Sequence, residues 1–279
     1  MTTSLETSTC YRHPDRETGV SCSACGRPIC PDCMTPTQVG MRCPECAGRR
    51  TAVRTIRTMA QYPRATYALI AINLIAFLAE QGQFTLSSSA IHGTVIDEGI
   101  LAREPVALGH QYWRLVTSAF LHENLMHIGF NMLILYWVGR MIEPAIGSAR
   151  LLAIYLTALL AGSFGALLAT PDPSLGASGA IFGLLGAAAV ELHARRIPIM
   201  QSGIGWMIVI NLGYSFLLPH ISYGAHIGGL IGGALAAYAL RAAGARRMVA
   251  LGYVGCLAIA LASVIGAIIV ARSSAPGIV

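Results

Sequence analysis

The sequence predicts an all-α polytopic membrane protein, a bundle of seven transmembrane helices preceded by a small N-terminal zinc-binding domain. Three observations carry this reading. Of 279 residues, 54% are apolar and only 11% are charged, with a mean hydropathy of +0.60. A soluble domain is roughly 25% charged, so this chain has too little charge to cover a water-facing surface. The same numbers exclude disorder for most of the chain. Apolar runs follow one another almost without interruption beyond residue 64. Seven of the eight Cys fall within residues 10–46, and the eighth is Cys256, which divides the chain into two parts. The net charge of +6 comes from 19 basic residues, all Arg. Such a balance can signal nucleic acid. Here the Arg sit in short clusters between apolar runs, as in membrane proteins, and no nucleic-acid partner is expected.

Taken in order, residues 1–47 are polar and Cys-rich and hold no apolar stretch of signal-peptide length, so they are read as a folded segment, not an export signal. Residues 48–64 form a basic linker with Arg49, Arg50, Arg54, Arg57 and Arg64. Crossing a bilayer takes about 20 helical residues. Seven runs approach this length: 65–81, 117–139, 149–169, 177–192, 203–219, 224–241 and 248–270. The fourth and fifth are short and Gly-rich, and either alone also suits a re-entrant or buried segment. The connection at 82–116 is polar and too long for a tight turn. Gly183 with Gly186, and Gly228, Gly229, Gly232 and Gly233, form small-residue faces that let helix backbones approach closely in lipid. Arg clusters alternate across the spans, placing the N-terminus in the cytoplasm and the C-terminus outside, in a multi-pass plasma-membrane protein.

The Cys-rich segment has four pairs of one spacing: Cys10-x2-His13, Cys22-x2-Cys25, Cys30-x2-Cys33 and Cys43-x2-Cys46. Tetrahedral zinc takes four such ligands, so the eight make two closed, structural sites. The segment is too short to bury a core, and metal supplies its folding energy. Disulfides are disfavoured on a reducing cytoplasmic side. Spacing leaves open whether the pairs share metals in sequence or interleaved. The arrangement resembles a B-box-type finger, in which pairs interleave. That resemblance implies Cys10, His13, Cys30 and Cys33 on one ion and Cys22, Cys25, Cys43 and Cys46 on the other. A finger so tethered is expected to bind a cytoplasmic protein or simply to fold.

Polar and ionisable groups inside spans are costly and mark function by default. His122, His127 and Asn131 fall in the second predicted span, Ser178 at the head of the fourth, and His226 in the sixth. Each has an ordinary explanation: a lone Ser bonds back to its own helix, a lone His packs, and an Asn joins two helices. Their combination at the outer ends of the spans points elsewhere. His127 and Asn131 share a helix face, and the Gly-rich faces allow Ser178 and His226 to meet. Such a set has the parts of an acyl-transfer site: Ser178 as nucleophile, His226 as base, and His127, Asn131 and the Ser178 amide as oxyanion donors. One such donor is worth roughly 3–4 kcal/mol. No Asp or Glu is placed to orient His226, so the site reads as a Ser–His dyad.

These residues resemble the rhomboid intramembrane serine proteases. Gly176-Ala177-Ser178-Gly179 looks like the GxSG motif, and Ala225-His226-Ile227-Gly228-Gly229 like the motif of the base. His122, with His127-x3-Asn131, looks like the family's span-two signature, and Trp113-Arg114 like the pair in its first long loop. The match covers about residues 65–241, a six-helix protease core. Residues 242–279 then resemble the additional seventh helix and tail of many bacterial members, and the zinc segment lies outside the shared core. The resemblance implies Ser178 as nucleophile, His226 as general base, and His127 and Asn131 at the oxyanion hole. Gly176 would help shape the turn that exposes Ser178, Gly179 would be a supporting residue of the motif, His122 would support a wetted cavity, and Glu143 would be a structural acid. Phe182 stands where many bacterial members carry Tyr against the base; the ring is kept and the hydroxyl is not. Trp113 and Arg114 would support the loop, or serve as interfacial anchors. Substrates would be single-span membrane proteins with small residues near the cut. Competing readings are an inactive rhomboid-like binding or quality-control factor, a His-based proton relay in a transporter, and a zinc finger for which the spans are only an anchor.

Overall fold

The computed structural model describes residues 8–37, 40–48, 62–80, 94–218 and 221–273. The chain forms two compact units, Met1–Met59 and Ala60–Val279. Most of the predicted linker at 48–64, and residues 82–93 of the predicted loop, lie outside the described residues.

The first unit has almost no regular structure to hold it. Strand β1 (Ser8–Thr9) pairs antiparallel with β2 (Glu17–Thr18), and β3 (Thr35–Thr37) with β4 (Gly40–Arg42), followed by the single turn α1 (Pro44–Ala47). Its interior consists of Ile29 and the side chains of Cys10, Cys22, Cys30, Cys33 and Cys43. Sulfur thus takes the place that a larger domain gives to branched aliphatic residues.

The second unit is a helical bundle. Helix α2 (Arg64–Glu80) is followed by three short helices, α3 (Thr94–Gly99), α4 (Arg103–Ala107) and α5 (Arg114–Thr117). Then come α6 (Leu125–Ile146), α7 (Ser148–Ala169), α8 (Ser178–Ala194), α9 (Ile204–Leu217), α10 (Tyr223–Ala245) and α11 (Val249–Ser273). Helices α6, α7, α10 and α11 are each long and apolar enough to cross a bilayer. Helices α2, α8 and α9 are shorter, at 17, 17 and 14 residues. Helices α2 and α6 to α11 fall on the seven predicted runs, four of them at spanning length, and the protein is a multi-pass membrane bundle. Large apolar side chains such as Ile75, Phe130, Trp137, Leu217, Leu261 and Ile269 face outward, as lipid-facing positions do.

One boundary differs from the sequence-based expectation. The second span was expected at 117–139, but α6 begins at Leu125. Asn124 accounts for the shift: extended at φ −159°, its side chain accepts from the His127 N–H at 2.9 Å and caps the helix. Residues 114–120 form α5 and a 3₁₀ turn instead. His122 therefore precedes the helix and is not within it.

Two devices join the bundle. Glu143, almost fully buried near the end of α6, accepts the N–H groups of Ala65 (2.8 Å) and Thr66 (2.9 Å) and the Thr66 hydroxyl. It thus satisfies orphan donors at the start of α2, as a structural acid would. The other device is backbone contact. A side chain at Gly229 of α10 would begin 3.1 Å from the Gly179 Cα of α8 and overlap its carbonyl. One at Gly224 would begin 2.9 Å from the carbonyl carbon of Gly165 in α7. Small-residue contact of this kind brings α10 against α7 and α8.

Candidate active site

Ser178 is the first residue of α8. The chain reaches it through Gly176, whose φ of +116° is strained for any side-chain-bearing residue. The approach is held from both sides. Ser174 and Leu101 exchange backbone hydrogen bonds of 2.8 and 3.0 Å, and the Gly176 N–H donates to Ser118 O at 2.8 Å. A Cβ at Gly176 would lie 2.8 Å from Nε2 of His127, so His127 stands directly beside this turn. Being first in the helix, Ser178 has an N–H that lacks an intrahelical acceptor and carries the helix's positive end.

His226 sits in the first turn of α10. Ser222 caps that helix by accepting from the Ala225 N–H at 3.2 Å and is itself bonded to Thr170 at 2.9 Å. The close approach of α8 and α10 puts His226 Nε2 2.7 Å from Ser178 Oγ. The imidazole is 7% exposed, and Phe182 stacks on it with centroids 4.2 Å apart and planes 17° apart. Phe182, at the position where the sequence keeps a ring without the hydroxyl, packs on the His226 imidazole.

Sequence reasoning missed one partner. Ser215, on α9, bonds His226 Nδ1 at 2.5 Å and donates to Asn211 O at 2.8 Å. A serine hydroxyl has one proton. With that proton committed to the carbonyl, Ser215 accepts from Nδ1–H. The hydrogen-bond network thus assigns the tautomer in which Nε2 is free to accept from Ser178. A neutral oxygen holds the imidazole where a carboxylate does in a triad.

The other singled-out residues surround this pair. His127, on the first turn of α6, meets His122 edge-on with ring centroids 5.1 Å apart. Asn131, one turn on, donates one amide proton to His127 O at 2.9 Å, and its second amide proton is not used by that bond. His122 is fully buried, and its N–H donates to Glu80 Oε2 at 3.1 Å. Glu80, the last residue of α2, thus reaches the polar cluster. Both imidazole nitrogens of His122 and Glu80 Oε1 lack a partner among the described residues. Such groups make a pocket hospitable to water, the second reactant of any hydrolysis. Gly179 packs against Ala225 O, 3.2 Å from where its Cβ would begin.

Arg114 is buried and stitches the preceding loop. Its guanidinium donates to the carbonyls of Asp97 (2.8 Å) and Ile100 (2.7 Å), and to Gln111 Oε1 (2.6 Å). Trp113 is about half exposed, with its indole N–H on Glu98 O at 3.2 Å.

The N-terminal unit contains two potential metal sites. The ligand atoms of Cys10, His13, Cys30 and Cys33 lie within 4.8 Å of one another, and so do those of Cys22, Cys25, Cys43 and Cys46. This is the interleaved grouping, not the sequential one. Zinc–sulfur bonds of about 2.3 Å in a tetrahedron put sulfurs about 3.8 Å apart. Cys25 and Cys43 Sγ stand at 3.8 Å, and His13 Nδ1 lies 3.3 and 3.5 Å from Cys30 and Cys33 Sγ. All the cysteines are free thiols. The Cys43 backbone N–H draws the Cys22 thiol down to about 6, whereas hydrogen bonds to Cys43 and Cys25 push Cys46 up to about 12. The donor set and its spacing fit zinc.

Comparison with known proteins adds the following. Residues 109–243 match the family described as "Rhomboid domain". The chain is 40% identical over 181 residues to "Rhomboid protease GluP" of Bacillus subtilis (strain 168), covering 64% of this chain and 35% of that protein. It is 36% identical over 144 residues to "RHOMBOID-like protein 1" of Arabidopsis thaliana, covering 49% of this chain and 36% of that one. It is 33% identical over 134 residues to "Putative rhomboid protease YdcA" of Bacillus subtilis (strain 168), covering 46% of this chain and 67% of the relative. The chain thus spans about a third of the length of the first two relatives.

Proposed function

The chain belongs to the rhomboid family, and from that premise we propose that it is an intramembrane serine endopeptidase acting through a Ser178–His226 dyad. The observation that carries this reading is the 2.7 Å contact between Ser178 Oγ and His226 Nε2, with Nδ1 held by Ser215.

Ser178 Oγ attacks the scissile carbonyl while its proton passes to Nε2. The oxygen of the tetrahedral intermediate is met by the Ser178 N–H at the positive end of α8 and by the side chains of His127 and Asn131. The imidazolium returns its proton to the departing amine, leaving an acyl-enzyme. Water then enters from the polar side and attacks the acyl carbon while giving a proton to His226, and His226 returns that proton to Ser178 Oγ as the acyl–oxygen bond breaks and the carboxylic acid leaves. Phe182 stacked on one face of the imidazole, and Ser215 at Nδ1, limit rotation of the ring and lower the orientational cost of each transfer. Substrates are single-span membrane proteins whose helix unwinds locally, because a helical peptide bond is shielded and already hydrogen-bonded. The proposed protease core is 65–241, in the plasma membrane, with the N-terminus cytoplasmic and the C-terminus outside.

The paired thiol and imidazole clusters hold two structural zinc ions, Cys10, His13, Cys30 and Cys33 on one and Cys22, Cys25, Cys43 and Cys46 on the other. Four protein ligands each leave no place for water on the metal, so the ions serve folding of the N-terminal unit.

A fluorophosphonate probe tests the dyad apart from any choice of substrate. Purified protein should be labelled at Ser178, and His226→Ala should abolish labelling while helical content is kept. Equal labelling of the two proteins would show that Ser178 does not rely on His226.

A further inference from the structure

At the end of the bundle opposite Ser178, a cavity of about 410 Å³ opens between α6, α7, α8 and α10. It lies roughly 20 Å from the dyad along α8 and α10, at 1.5 Å per residue. Arg150, Arg241 and Glu191 supply charge, joined by Arg195 just past α8, above a floor of the almost fully buried Ile142, Ile154 and Leu240. Glu191 is shared between Arg241 at 3.3 Å and Arg195 at 3.7 Å. Arg150 makes no ion pair among the described residues. It is only partly exposed, and its Nη2 lies 3.6 Å from where a side chain at Gly244 would begin. Three guanidinium groups therefore face one carboxylate.

Ion pairing accounts for two of the three. Arg195 and Arg241 both stand against Glu191, and Arg195 also follows the C-terminus of α8, where a cation offsets the negative end of the helix. Arg150 is different, because it lies in the first turn of α7, the positive end, where a cation is disfavoured. An uncompensated guanidinium added to a helix N-terminus, at the rim of a cavity, is an arrangement that awaits an anion.

We propose that this cavity binds the phosphodiester headgroup of an anionic phospholipid, with Arg150 and Arg241 on the phosphate. The depth favours lipid over a soluble anion. The ends of a membrane bundle lie at headgroup level, and basic pockets between such ends suit acidic lipid heads. This site involves none of the dyad residues and stands whether or not the chain is a protease.

The test is lipid titration of the full-length protein in detergent, read by native mass spectrometry. One dioleoylphosphatidylglycerol should remain bound per chain at concentrations where dioleoylphosphatidylcholine does not. Arg150→Gln should weaken this by about tenfold, the worth of a charge-assisted contact. Arg247→Gln, which removes the same charge from an exposed position outside the cavity, should leave it unchanged. Equal retention of the two lipids, or equal losses in the two variants, overturns the site. Saturable binding of inorganic phosphate with the affinity of the lipid overturns the assignment to lipid. A measurement on the unaltered protein guards against misfolded variants: phosphatidylglycerol should raise the melting temperature more than phosphatidylcholine does, and identical shifts contradict the proposal.

Discussion

At the residue scale, the His226 imidazole is held by a group that the sequence does not advertise. Ser215 lies eleven positions before His226 on a different helix, and a serine within a span ordinarily bonds its own helix carbonyl. Ser215 does that too, and the same bond is what leaves its oxygen free to accept from Nδ1–H. The Ser178–His226 pairing was legible because both residues sit in recognisable motifs. Ser215 was not, because its role appears only once α9 and α10 are side by side. Ser215→Ala should lower kcat by about tenfold, the worth of one buried hydrogen bond, with KM little changed. Ser215→Thr, which keeps the hydroxyl, should recover most of the rate. A fall in KM-dependent binding alone, or no rescue by Thr, would count against a positioning role.

At the element scale, the start of α6 shows what hydropathy cannot locate. Residues 114–121 are nearly as apolar as the helix that follows, so a window average runs through them. The boundary is set by one capping side chain, Asn124. The glycine faces were legible as packing surfaces, but their register was not, since several pairings of Gly-rich helices are sterically open. The observed register stacks Gly229 on Gly179 and Gly224 on Gly165, and this aligns His226 with Ser178. Gly229→Leu should therefore separate α8 from α10. Its melting temperature should fall, with a destabilisation of about 1–3 kcal/mol or more from overpacking, and labelling at Ser178 should fall with it. Unchanged stability in detergent would mean that the two helices do not meet at this point.

At the scale of the whole molecule, composition alone divided the chain into a Cys-rich unit and an apolar one. Spacing gave the eight ligands but not their partners, because paired CxxC motifs close equally well in either order. The folded N-terminal unit brings the first pair to the third and the second to the fourth. A strong chelator should remove two zinc ions per chain, and the far-ultraviolet signal of the isolated 1–59 segment should then become that of an unfolded peptide, since little but sulfur forms its interior. Release of one ion, or none, would contradict two closed sites.

The membrane unit is most directly tested by following cleavage of a single-span substrate in proteoliposomes by the unaltered protein and by Ser178→Ala. Cleavage within the substrate's membrane segment by the first, and none by the second, is the outcome that the dyad requires. Continued cleavage at the same bond by Ser178→Ala would remove the hydroxyl from the chemistry and the protease mechanism with it.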